Sequence, residues 1–424
     1  MRIPRQIVGL ADQTVVSGSN FVVLIVVGRT LAPIDFGYFV LAFTLLQSAG
    51  AVQSALITRP HNVLGATRQG KDYRRYTTAS AFLQIVYAIA WALLLLAIAA
   101  VTGLSGSPSS TTFLMAAPVA IAWQAQEFLR RVLYTERRLH IALLDDILSY
   151  GSQAAILVWL GVDGTLTATR ALVVVGATSL FSALAVLPFL RHSLGRDLSR
   201  DALRSNWHFG RWLGAAEVVY WLASQSYIYV GGLVVGPVVS AALKAAQTLL
   251  GPVSVFLAFF VSYLPTSFAR AQERGELARR MRAAFTVTVP PTLVYALGAI
   301  VFAPTLLRHV YGAEYAHDAT VVRLFAVYYV ILSVSDVFVA ALAARGLTQR
   351  IVVGHALGAA ISLVVGWALL LHWHAAGGTA GMILSLLGAL ILFILAFGMS
   401  SAHRESQPGG ATASNVLPRR DPST

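Results

Sequence analysis

This chain of 424 residues contains no cysteine, which excludes disulfides, thiol nucleophiles and zinc–thiolate centres. It holds 18 acidic residues against 31 basic ones, and only two of the basic ones, Lys71 and Lys244, are lysines. Charged residues make up 12% of the chain, too few to cover a soluble protein of this length. No Gly-rich loop followed by Lys-Ser or Lys-Thr is present, so the chain carries no ATPase module of its own. No His/Asp/Glu set has metal-ligand spacing, and His372 and His374 read as solvated loop residues. No cofactor or metal is expected.

What is present is apolar. Hydrophobic residues make up 57% of the chain, and its mean hydropathy is +0.70. A membrane helix needs about 20 mostly apolar residues. Twelve such spans are expected, at 9–30, 37–58, 78–102, 112–129, 141–160, 167–190, 212–234, 238–268, 284–308, 319–343, 351–372 and 380–400. Connections 31–36, 103–111, 161–166, 235–237, 309–318 and 373–379 contain no Lys or Arg. The opposite segments, 1–8, 59–77, 130–140, 191–211, 269–283, 344–350 and 401–424, hold 26 of the 31 basic residues. The positive-inside rule then puts both termini in the cytoplasm.

The fold class expected is an all-α polytopic membrane protein, with twelve transmembrane helices in two six-helix lobes around a central lumen. The lobes are 1–190 and 212–400. Between them, 191–211 is a basic amphipathic cytoplasmic linker, and 401–424 is a polar, disordered cytoplasmic tail. The leading MRIPRQ has no small-residue cleavage site after it, so no removable signal peptide is expected. The formal charge of +13 would suit nucleic acid, but the basic residues are dispersed at helix ends, which suits a membrane surface instead. Each lobe start repeats at an offset of 204 residues: Gly28, Pro33 and Thr44-Leu45-Leu46 match Gly232, Pro237 and Thr248-Leu249-Leu250. Two parallel repeats place a binding site at their interface. With every connection short, the function must lie among the helices, which points to a transporter.

Polar stripes mark the helices that face such an interface, because lipid satisfies no polar group. Span 1 carries Asp12, Gln13, Ser17 and Asn20; span 2 carries Thr44, Gln47, Ser54 and Thr58. Span 7 carries Glu217, Tyr220, Trp221, Ser224 and Gln225; span 8 carries Lys244, Gln247, Thr248, Gly251, Ser254 and Ser262. Small and polar residues also serve simple helix packing. The ionisable ones are harder to place that way, since each costs ~2.5–3.5 kcal/mol at a helix centre. Arg29, Gln47, Arg59, Tyr220, Trp221, Lys244, Gln247 and Arg323 are the lumen candidates. Asp12, Glu217 and Asp336 are candidates for ion coupling, with structural pairing an equal alternative. Asp145 and Asp146 are expected to pair with Arg137 or Arg138. Arg170 and Arg308 are expected to snorkel at helix ends.

At the first hairpin, GRTLAPIDFGYF follows a polar helix, with Arg29, Leu31, Pro33, Asp35, Phe36, Gly37 and Tyr38 in place. This segment resembles the start of Wzx-type polysaccharide flippases, of the multidrug/oligosaccharidyl-lipid/polysaccharide exporter superfamily. The run ALITRP, with Arg59 after span 2, is similar to the family as well. Ala32 departs from the pattern, which has Gly before the Pro. The resemblance covers about 60 residues. It implies alternating-access flipping of an undecaprenyl-diphosphate-linked oligosaccharide across the bacterial inner membrane. It also implies membrane lipids, a polysaccharide polymerase and glycosyltransferases as partners, and no nucleic acid. Within that expectation, a diphosphate head needs cations in a low dielectric, and Lys244, Arg29 and Arg323 would supply them. A cation-coupled multidrug antiporter of the same superfamily and a membrane glycosyl-transfer enzyme are the alternatives. The first needs an acid-lined apolar pocket, and the second a catalytic acid and a sizeable acceptor loop.

Overall fold

The computed structural model describes residues 5–195 and 197–405; within that range, nothing is described of the side chains of 5–11, 13, 219, 220, 222, 223, 262 and 401–405. Gln13, Tyr220 and Ser262 therefore contribute backbone position only. All regular structure among the described residues is helical. The first six rods are α1 (Arg5–Thr30), α2 (Pro33–Gly65), α3 (Gly70–Leu104), α4 (Ser109–Thr135), α5 (Leu139–Val162) and α6 (Ala168–Ser193). The second six are α7 (200–235), α8 (Pro237–Leu249, then Gly251–Glu273), α9 (Leu277–Val310), α10 (Ala313–Ala344), α11 (348–372) and α12 (375–405).

Among the described residues, length and apolarity alone qualify eight helical stretches as membrane spans, one of which, Thr348–Ser400, is α11 and most of α12 running through a kink. The rods outside that set are α1, whose described apolar stretch is the shorter Thr14–Thr30, and α4 and α7; Asp12, Glu127, Arg130 and Glu217 lie in these three rods. Their polarity is what makes them informative, because each must hide those groups in protein.

Local sequence explains the rod ends. Pro33 and Pro237 open α2 and α8 in the first turn, where a missing N–H costs nothing. Gly236 is the single residue between α7 and α8, and its φ of 142° is closed to any residue with a Cβ. α2 is α-helical through Gln53 and then widens into i→i+5 turns over Ser54–Thr58 and His61–Gly65. α8 breaks at Leu250, where Gly251 and Pro252 start a new first turn.

The rods form two bundles. In the first, α3 packs on α4, α4 on α2 and α6, and α1 on α5; in the second, α9 packs on α10, and α10 on α8 and α12. The first bundle hides a polar interior. Gln53 Nε2 donates to Gln84 Oε1 and to the Gln124 carbonyl, both at 2.8 Å. Arg130 donates to Asp146 at 3.0 Å and to Glu127 at 2.8 Å, and Arg131 to Glu127 at 2.9 Å. Asp145 accepts from Gln126 at 2.8 Å and from Ser182. Both aspartates therefore turn into the bundle, and Arg130 rather than Arg137 or Arg138 is the partner of Asp146, because α4 and α5 face each other there.

Three expected boundaries shift. The connection expected at 373–379 shrinks to a kink at Trp373 and His374; Gly377 and Gly378 are already helical and pack on Leu369 and Leu370. The second half of the 191–211 linker is the opening of α7, one rod continuous with the span. α12 runs on to Glu405, so the expected tail begins as helix, and its remainder lies outside the described residues.

Candidate functional site

The two bundles meet along α2, α7 and α8, with α1 against the first half of α8. The second half of α8 packs instead on α9 and α10. The interface has three levels: an end without basic connections, a middle, and the basic end.

At the first end the contact is tight and backbone-close. A Cβ on Gly37 would overlap the Pro237 carbonyl, and one on Gly232 would stand 2.7 Å from the Leu41 side chain. A Cβ on Gly28 would lie 2.6 Å from the Tyr311 ring, which packs on Phe36 at 6.1 Å between centroids. Arg29 donates to the carbonyls of His309 and, at 3.3 Å, Val310. These contacts bring together the α1–α2 hairpin of one bundle and both the α7–α8 hairpin and the α9–α10 turn of the other. The two hairpins that carry the 204-residue repeat thus meet, Pro237 against Gly37 and Gly232 against Leu41.

In the middle, Lys244 of α8 donates to Gln47 Oε1 of α2 at 3.2 Å. Lys244 is 9% exposed and, among the described residues, has no ion-pair partner. Tyr229 of α7 donates to the Thr44 carbonyl at 3.0 Å and shares a hydrogen bond with Ser48 at 2.8 Å. Thr248 turns back onto the Lys244 carbonyl at 2.8 Å. Gln247 and Trp221 are half-buried on the same helices. The oxygens of the Thr44 and Gln225 side chains are buried without a hydrogen-bond partner among the described residues. Unpaired buried oxygens are costly and need a reason. A seam that carries one cation, amides and hydroxyls fits a polar, anionic solute.

At the basic end, Arg59 pairs with Glu217 across the bundles at 3.7 Å. Asn206 donates to the Leu56 carbonyl at 3.0 Å and accepts from Tyr76 at 2.9 Å. Gly210 and Gly214 let α7 lie directly on Leu56. The α2–α7 contact therefore runs the full length of the molecule, whereas the α1–α8 contact involves only the first half of α8.

The structure brings Gln47 and Lys244 together at the seam, with Gln247 half-buried one turn further along α8, and pairs Arg59 with Glu217. It places three candidates elsewhere. Asp12 is 4% exposed and takes the Tyr134 hydroxyl within the first bundle, because that face of α1 packs on α5. Arg323 donates to the Ile300 carbonyl at 3.2 Å, lying over α9 in the second bundle. Asp336 is half-buried on α10, and among the described residues it forms no ion pair. Glu217, a candidate for ion coupling, pairs with Arg59 at the basic end. Arg29 closes an end rather than lining an open lumen. The sequence reading missed Ser48 and the Tyr311 seal. Ser48 stands one turn after Thr44 on the span 2 stripe, a spacing that would have found it.

No protein-family model and no curated protein matches the chain. Solved structures do. The fold is similar to that of the lipid II flippase MurJ in an inward closed conformation, with a TM-score of 0.71 and 11% identity over 92% of this chain and 87% of that one. It is also similar to an inward-facing multidrug resistance MATE family transporter of the MOP superfamily, with a TM-score of 0.64 and 15% identity over 97% of both chains. A third is a MOP superfamily transporter from Pyrococcus furiosus, with a TM-score of 0.54 and 14% identity over 95% of both. The chain is a multi-pass membrane protein with the twelve-helix, two-lobe fold of these transporters.

Proposed function

We propose that this protein flips an undecaprenyl-diphosphate-linked oligosaccharide from the cytoplasmic to the outer leaflet of the bacterial inner membrane, as Wzx-type flippases do. In this reading both termini are cytoplasmic and the two bundles alternate access to the seam. The sugar crosses beside the amides and hydroxyls of α2, α7 and α8, while the lipid tail stays in the bilayer. The single observation that carries it is Lys244, a buried cation held across the bundles by Gln47 with no carboxylate beside it. A site for cationic drugs requires the opposite sign. The similarity to a lipid II flippase supports a lipid-linked anionic substrate, and no catalytic residue is required.

The test is reconstitution of the full chain in liposomes, with a fluorescent undecaprenyl-diphosphate glycan in one assay and a cationic dye in the other. Glycan translocation is expected and dye extrusion is not. Lys244→Gln should lower the translocation rate at least tenfold at equal protein abundance, and Lys244→Arg should keep part of it. Dye extrusion without glycan movement would replace this reading with the multidrug antiporter.

A further inference from the structure

Away from the seam, the basic end of α8 and the start of α9 enclose a pocket of about 400 Å³. Tyr263, Thr266, Ser267, Arg270, Arg274 and Arg280 line it. The first five recur at helical spacing, so α8 and the turn after it present one continuous polar face. Arginines at helix ends usually just reach for water. Here three of them converge on a cavity, and among the described residues none forms an ion pair. Glu276, the acid at the rim, is already held by Arg279 at 2.7 Å.

The same face continues along α8 as an apolar ladder. Val255, Phe259 and Tyr263 are each more than half exposed and four residues apart. Phe259 and Tyr263 stack with ring centroids 6.1 Å apart and planes 7° from parallel. The ladder thus leads from the membrane interior straight into the arginine pocket. A soluble anion needs only the pocket; a ligand with an apolar tail and an anionic head matches both parts.

The geometry points to a binding site for a lipid whose headgroup ends in a phosphate monoester or a diphosphate. Guanidinium groups pair such oxygens in bidentate fashion, and three of them match a head carrying more than one negative charge. Two lipids share this chemistry: a phospholipid with a terminal phosphate, and a polyprenyl diphosphate carrier. For the carrier the site rests on the function proposed above and would hold the head at the leaflet surface before entry to the seam. Binding itself does not depend on transport.

The full chain in neutral detergent would be titrated with phosphatidic acid, a polyprenyl diphosphate, phosphatidylglycerol and inorganic diphosphate, and bound lipid counted by native mass spectrometry. One saturable site for the first two is expected, with at least tenfold weaker binding of phosphatidylglycerol and of inorganic diphosphate. The triple variant Arg270→Gln, Arg274→Gln, Arg280→Gln should weaken binding at least tenfold, and Arg282→Gln, an exposed arginine of α9 outside the pocket lining, less than twofold. If the triple variant is not monodisperse, the single variants carry the test, and each should weaken binding severalfold. A preference for the polyprenyl diphosphate assigns the carrier as occupant, and equal affinity assigns membrane phospholipid. Equal losses with Arg282→Gln, or inorganic diphosphate binding as tightly as the lipids, would overturn the site. Because flipping is measured separately, a bound but untransported carrier would refute the proposed function and leave this site standing.

Discussion

Arg130 is the most committed side chain of the first bundle. It is 7% exposed and bonds both Asp146 and Glu127. Ions in such a place gain little net stability from pairing, but removing one partner strands the other. Arg130→Ala should therefore destabilise the protein by about 3–5 kcal/mol, read as a lower thermal midpoint in detergent. Adding Asp146→Ala to Arg130→Ala should recover part of the loss, since it removes the carboxylate left without a cation, whereas Glu127 keeps Arg131. A double variant less stable than the single one would show that Asp146 has other support. Lys244 is the contrasting case, because its only described partner is an amide. Lacking a carboxylate, it stays available to an anionic solute.

At the scale of elements, the contact between the α1–α2 and α7–α8 hairpins decides how far one end of the molecule closes. Gly37 lies so close to the Pro237 carbonyl that any side chain must push the bundles apart. Gly37→Val should shift the population toward a state open at that end. The absence of cysteine makes this measurable. Spin labels on Asp163→Cys and Glu314→Cys, exposed residues of the two bundles near that end, should report a longer mean distance in the Gly37→Val background. An unchanged distance distribution would mean that α2 and α8 adjust locally and do not form a gate. The α2–α7 contact, continuous through Leu56, Gly210 and Gly214, is the natural pivot for such a motion.

For the whole molecule, orientation is the open quantity, and charge is what predicts it. Single cysteines at Ser107 and Trp373 should react with a membrane-impermeant reagent from outside intact cells, and one at Gly275 should not. Trp373 is 65% exposed at the α11–α12 kink. Gly378, further along the expected connection, is unsuitable because it packs against Leu370 and Tyr227. Labelling of Gly275→Cys from outside, or protection of Ser107→Cys, would reverse the orientation and with it the direction of transport proposed here.

Twelve rods and their grouping in two sixes were legible in the sequence, because a hydrocarbon core forces every span to be long, apolar and helical. The repeated turn was legible too, since Gly28 with Pro33 and Gly232 with Pro237 mark it twice, but that the two hairpins pack on each other was not. The polar stripe on span 8 marked Lys244 as a lumen candidate, and the fold sets it against Gln47 of α2. Which way other polar faces turn was not legible. Asp12 and Lys244 look alike in sequence, each a charge in an apolar span, yet one is buried beside Tyr134 and the other meets Gln47 across the bundles. A stripe shows that a helix face needs polar company but not which neighbour supplies it. That choice, like the Arg59–Glu217 pairing and the kink that replaces the last connection, depends on how whole bundles pack, and contacts between residues far apart in the chain leave no periodicity to read.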